Sequence, residues 1–394
     1  MECADFWDGE KLMLNTLADG VPFVRRKGKM TSHIKNSAYG DDRKSHKAGQ
    51  TNGESASGSM KPVAPDASLL CGTQLQGPAG CVGVEDLSAG HKILGYTDGQ
   101  ERAYGIVQVQ VAHGITLPGF PDDEAGYPVR ILKDAIADGV PARDVVLTPD
   151  HCLFFEDKFI PVSLLINRLS IFYDRSYSSY KAYAVQTEPH AVLIAESLLV
   201  ASALPPCPHN RHWHTRTDMP VVTDREVVEL LYYRLKARAE SLGLESLFHH
   251  PDLTKDHDLK LITPKGQFIS KVMEKDNVLT FMLPSDVHEV HLSSRASRPV
   301  DVIGPFTQDK RYLGVHIGDV ILLDVRKHKK ITAHLDNELT GWHPSESDEG
   351  RWTDGHAHLP IKGRLRNRMG MLWIQILRTI PYLETDYHGP RRKH

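Results

Sequence analysis

The sequence predicts a mostly β protein, on three observations. Short runs rich in Val, Ile, Thr and aromatic residues recur from Ser68 onward, several alternating apolar with polar positions as a half-buried strand does. Gly-, Pro- and Asp-rich turn text separates them, as over 97–100, 118–128 and 156–161. One helical stripe interrupts the pattern, between Thr223 and Gly243.

Residues 1–66 stand apart. Over 25–61 the chain is dominated by Lys, Arg, Ser, Gly and Asn, with hardly any Val, Leu or Ile. Such text cannot bury enough apolar area to offset the entropy of ordering, so a disordered tail is expected, its basic cluster solvated. Over 67–204 the runs "VGVEDL", "GIVQVQVAHGITL", "DVVLTPDHCLFF" and "YAVQTEPHAVLIA" predict one all-β domain, with a short helix at "ILKDAIADG". A linker beginning "PPCPHNRHWH" leads to the long helix. Thr223 and Glu226 give it a capping-box signature, Val228, Leu231, Leu235 and Leu242 its apolar stripe, and Gly243 its end. Then "LKLITP", "NVLTFML", "VHEVHLSS", "DVILLDV" and "LWIQIL" predict a β-rich α+β domain over 205–394.

With 394 residues and a net charge of −3, the chain has neither the basic balance of a nucleic-acid binder nor a strongly acidic surface. The five cysteines, Cys3, Cys71, Cys81, Cys152 and Cys207, are odd in number and form no Cys-x-x-Cys pair, which predicts reduced thiols. No basic-then-apolar leader opens the chain, and no apolar run approaches the roughly 20 residues of a membrane span. A soluble protein is expected, cytoplasmic or exported by a non-classical route. Cys207, His209, His212 and His214 crowd one linker instead of pairing from two knuckles, so neither metal nor cofactor is expected.

The chemistry turns on "DASLLCGTQLQGPAG", which offers two nucleophiles, Ser68 and Cys71. A thiol is intrinsically the stronger of the two. Three blocks bear on the choice. The first, "SLLCGTQLQGPAGCVGVEDLSAGHKIL", carries Gly72-Thr73 and Val84-Glu85-Asp86-Leu87. The second, "PARDVVLTPDHCLF", carries Arg143, Asp144, Thr148, Pro149 and His151. The third, "YAVQTEPHAVLIAES", carries His190.

Together these blocks resemble the Hint (Hedgehog/intein) family, specifically bacterial Hint-domain proteins with a β-rich C-terminal extension. The resemblance puts Ser68 at the nucleophile position and makes Cys71 a bystander. Leu69 stands where the family has Phe, and His91 where it has Asp. It implies an N-to-O acyl shift at Ala67–Ser68, a single-turnover event rather than turnover catalysis. Ser68 would attack, His151 would donate the proton, Thr148 would bind the peptide or its oxyanion, and His190 would assist the intermediate. Water or a small nucleophile would accept the acyl group. At the end of the module, Val200-Ala201-Ser202 lacks the Asn that splicing requires, so no splicing is expected. The alternative is an inactive Hint scaffold that binds a ligand or protein through its C-terminal domain. There Trp342, Arg351 and Trp352 read either as a ligand rim or as aromatic core with Arg351 pairing Glu346. A third reading, a hydrolase built on Cys71 and His151, needs a three-residue slip of the first block.

Overall fold

The computed structural model describes residues 66–97, 100–203, 220–246, 252–324, 327–335, 339–346, 349–361 and 369–384. The expected tail and the Cys207–His214 linker cluster lie outside them.

The first half of the described chain builds one 13-stranded, antiparallel sheet system. Its spine is the 16-residue strand Gln100–Ile115, which pairs with Lys92–Thr97 at one end and with Ser179–Thr187 along most of its length. The short strand Leu69–Leu70 is threaded between Ser179–Thr187 and Val145–Leu147. On the other side, Lys92–Thr97 leads to the hairpin Val192–Ala195/Leu198–Ala201 and then to Cys152–Phe155 and Lys158–Pro161. Inward positions are almost all Leu, Ile and Val: Leu69, Ile93, Ile106, Val129, Leu147, Leu153, Leu193 and Val200 share one buried cluster. At Gly114 the strand passes directly under the Tyr180 ring, where a Cβ would collide; the Tyr180 hydroxyl donates to the Gly126 carbonyl at 3.0 Å.

The helix expected at "ILKDAIADG" does not form. The strand Val129–Ile131 ends there, and Asp134 takes a positive φ of 62° while its carboxylate accepts the Gly139 N–H at 2.6 Å. The aspartate side chain has given the backbone an alternative to helix, a habit of Asp in turns.

The long helix, α1 (Arg225–Ser241), starts one residue later than the capping-box signature places it. Asp224, not Thr223, is the N-cap and accepts the Glu226 N–H. Thr223 instead offers its carbonyl to Gln308. Val228, Leu231, Tyr232 and Leu235 are buried, but Leu242, at the C-cap, is 44% exposed and drops out of the stripe. The buried face of α1 packs into the same cluster as the 13 strands, joined there by Phe306, whose ring lies 5.1 Å from that of Tyr232.

The extension builds a six-stranded sheet around Val278–Leu283, Gly370–Arg378 and His316–Asp324, and a four-stranded sheet of Phe268–Ile269, Lys260–Ile262, Glu289–Ser293 and His356–Pro360. Their inner faces share a second core of Leu261, Phe281, Val290, Leu292, Ile317, Leu359, Leu372 and Ile374. Besides Phe306, an ion-pair cluster joins the extension to the first sheet system. Arg298 (2% exposed) and Lys310 both reach Asp123 at 2.7 Å. Burial alone would raise the Asp123 pKa, but these two cations outweigh it and hold the carboxyl below its usual range.

Candidate functional site

Ser68 occupies the point where the chain enters strand Leu69–Leu70. Because Leu69 pairs with Leu147, the next residue on that neighbour, Thr148, is brought against Ser68. The Ser68 N–H donates to Thr148 Oγ1 at 2.8 Å, and the Thr148 N–H donates to the Ser68 carbonyl at 2.9 Å. The Thr148 hydroxyl has one hydrogen to give, with the carbonyls of Asp66 (3.2 Å) and Ser68 (3.3 Å) in reach. Ala67, Ser68 and Thr148 are all buried.

His151 stands one tight turn beyond Thr148; its main-chain N–H donates to the Thr148 carbonyl at 3.0 Å, and its carbonyl accepts from Val162. The side chain is buried, and neither ring nitrogen has a well-formed hydrogen bond. The ring faces the Ala67 main chain closely enough for that group to favour its protonated form. Burial dominates, however, and with the repulsion from His190 it holds the His151 pKa down to about 4.

His190 hydrogen-bonds the Ser202 carbonyl through Nε2 at 2.8 Å and sets its edge against Phe159. The acceptor fixes the hydrogen on Nε2 and leaves Nδ1 buried and unbonded. Burial lowers its pKa, with the Ser202 carbonyl opposing. The segment Val200-Ala201-Ser202 is sealed in the hairpin, where the Ser202 hydroxyl accepts the Ala191 N–H at 3.0 Å.

Cys71 belongs to a different group. It is exposed at the far end of strand Leu69–Leu70, its N–H reaching the Lys181 carbonyl and its thiol donating to Glu85. Glu85 also accepts the Gly72 N–H at 2.9 Å, the contact that does most to lower its pKa. Arg143 donates to the Gly72 carbonyl and to Glu196, and Asp144 caps the Lys133 N–H and pairs with Arg130. The Arg-Asp dipeptide of the second block thus braces turns around the site. Gly72 itself has φ +91°, a conformation that suits glycine. His91 is exposed beside Ser88.

The peptide 67–68 is therefore held by Thr148 at its N–H, with the buried His151 ring facing the Ala67 main chain. Sequence reading passed over Asp150, which sits between Pro149 and His151. Desolvation and the Asp66 carboxylate raise its pKa while Lys310, from the extension, opposes them. No motif in the extension signals that lysine. Cys152 is buried, its thiol pushed up to about 12 by burial and Asp150.

In the extension, Trp342, Pro344, Ser345 and Arg351 line a cleft of about 270 Å³. The Arg351 guanidinium is buried and donates to the carbonyls of His343, His334 and Trp342, while Glu346 pairs with Arg311 at 2.6 Å. Trp352 is buried against His316.

The first half of the described chain is thus an antiparallel β module whose Thr-x-x-His turn lies against Ser68, at the entry to its own first strand. Residues 67–206 match the Hint domain family, and this segment is a Hint domain. Among solved structures it is similar to a bacterial intein-like domain from Clostridium thermocellum (11% identity, 35% of this chain and 99% of that chain, TM-score 0.27). It is also similar to a DnaB intein from Synechocystis (13% identity, 35% and 100%, TM-score 0.27). The Ssp DnaB mini-intein gives 11% identity over 36% and 99%, again with TM-score 0.27. No curated protein matches the chain.

Proposed function

We propose that the protein breaks its own Ala67–Ser68 bond by an N-to-O acyl shift, without splicing. The observation that carries this reading is the hold on that single peptide, its N–H bonded to Thr148 and the buried His151 ring facing the Ala67 main chain. Ser68 Oγ adds to the Ala67 carbonyl carbon, its proton passes to the amide nitrogen, and the C–N bond breaks. The result is an ester on Ser68 Oγ and a free amine on Ser68. Water then hydrolyses the ester and releases residues 1–67. Thr148 pins the nitrogen that must leave, so nucleophile and carbonyl stay in register. His151 passes the Ser68 hydroxyl proton on to the leaving nitrogen.

His151 enters as a neutral ring. Protonating it at pH 7 costs on the order of 4 kcal/mol, the gap of about three pH units. Ser68 also lacks a basic partner among its hydrogen bonds, which makes a hydroxyl a slow nucleophile. These two features favour a second reading, a quiescent Hint scaffold whose extension does the binding.

Intact mass after expression separates the two. In the first reading wild type loses the mass of residues 1–67, faster with hydroxylamine, and Ser68→Ala stays whole. In the second, wild type stays whole and Ser68→Cys cleaves when thiol is added. A chain left whole in all three variants would remove the acyl-shift reading.

A further inference from the structure

The outer face of the four-stranded sheet carries an unusual row of side chains. Along Glu289–Ser293 and His356–Pro360 the inward positions Val290, Leu292, Ala357 and Leu359 are buried. Period-2 alternation therefore turns Glu289, His291, His356 and His358 to the other face. Register brings them together: His291 lies opposite His358, and His356, opposite Ser293, is two pairs further on, the next on the same face. The His291 ring lies 4.9 Å from that of His356, nearly parallel to it, and 5.1 Å from that of His358. Glu289 reaches His358 Nε2 at 3.2 Å.

We infer that His291, His356 and His358, supported by Glu289, bind a divalent transition-metal ion of the zinc, nickel or copper type. Imidazole is a borderline-soft donor suited to these ions and not to calcium or magnesium. A His-x-His pair on one strand with a third histidine directly across supplies three donors from two elements. The carboxylate on His358 Nε2 leaves Nδ1 of that ring for the ion, the arrangement by which a carboxylate orients a ligating histidine. The rings stack instead of converging, and among the described residues no three such donors already surround a point. Binding therefore turns the rings about their Cβ–Cγ bonds until donor nitrogens stand roughly 2.0–2.1 Å from the ion. His356 is exposed and His358 partly so, which leaves them room to turn.

This inference is independent of the cleavage reading. Its test must silence the linker histidines, so the protein used is the full chain with His209, His212 and His214 replaced by alanine. Titration of that protein with ZnCl2 at pH 7.5, followed by calorimetry, should show one saturable equivalent and a raised thermal midpoint. His291→Ala and, separately, His356→Ala should each weaken binding at least tenfold. His356 is exposed at its strand's start, so its variant keeps the fold and serves if His291→Ala does not. Absence of saturable zinc binding in the linker-substituted protein, or binding unchanged by His356→Ala, would overturn the site.

Discussion

Ser68 and Thr148 exchange two hydrogen bonds: the Ser68 N–H goes to the threonine hydroxyl at 2.8 Å, and the Thr148 N–H returns to the Ser68 carbonyl at 2.9 Å. The second is main chain to main chain and survives any substitution at 148 except proline, which has no N–H to give. The first does not. Thr148→Val in the Ser68→Cys protein should slow single-turnover cleavage by roughly tenfold or more, while Thr148→Ser restores it. The valine leaves a buried N–H unbonded, so unfolding free energy should fall by about 1–3 kcal/mol. Rate and urea midpoint, measured together, separate the two effects; a lower midpoint with an unchanged rate would make Thr148 purely structural.

Buried histidines set the acid limit of the fold, with His151 and His334 foremost among them. His151 and His334 each have a pKa near 4, for burial in both cases, against about 6.5 in the unfolded chain. A depressed folded pKa means the unfolded state binds more protons between those values. The stabilisation is complete above pH 6.5 and is lost as pH falls toward 4, on the order of 3 kcal/mol for each ring. Asp150 and Asp301, whose pKa values are raised, work in the opposite direction and blunt the fall. Thermal midpoints should drop from pH 7 to pH 5, and His334→Gln should flatten that slope. A midpoint constant over this range would contradict the burial argument.

Asp123 tests how tightly the extension is fastened. Arg298 is 2% exposed, so truncating it removes the buried partner of Asp123 and leaves that carboxylate only Lys310, and Arg298→Ala should cost about 3–5 kcal/mol in urea unfolding. Lys310 touches the same oxygen from a half-exposed position, and Lys310→Ala should cost less than about 1 kcal/mol. Equal losses in the two variants would show that burial does not govern the pair.

Thiol labelling separates the cysteines. Cys71 and Cys81 are exposed, while Cys152 is buried with its thiol pushed up to about 12. Iodoacetamide at pH 8 should modify the first two and spare Cys152 until denaturant is added, as read by peptide mass. Cys71→Ala should leave Ser68→Cys cleavage unchanged.

Much of this architecture was legible in the text. Strand signals such as "NVLTFML" and "LWIQIL" became Val278–Leu283 and Gly370–Arg378 because alternating β-branched and aromatic residues have few other uses. The Thr-x-x-His turn fell beside Ser68 because Leu69 and Leu147 are register partners. What escaped was tertiary. Asp134 undid a helix with a side-chain hydrogen bond, Asp224 displaced Thr223 as the cap, and nothing local marks Lys310 as a neighbour of Asp150. The His291–His358 pairing is likewise invisible until two strands 67 positions apart are aligned.

Phe306 has a practical consequence. Its ring, with Val228, Leu231, Tyr232 and Leu235 of α1, completes a buried cluster whose other buried members all lie within 67–206. A gene cut at the family boundary would expose the surface those side chains cover, so the shortest fragment worth expressing runs past position 306. Unlike a portable splicing cassette, this module cannot be lifted out and grafted elsewhere without carrying its neighbour's plug along.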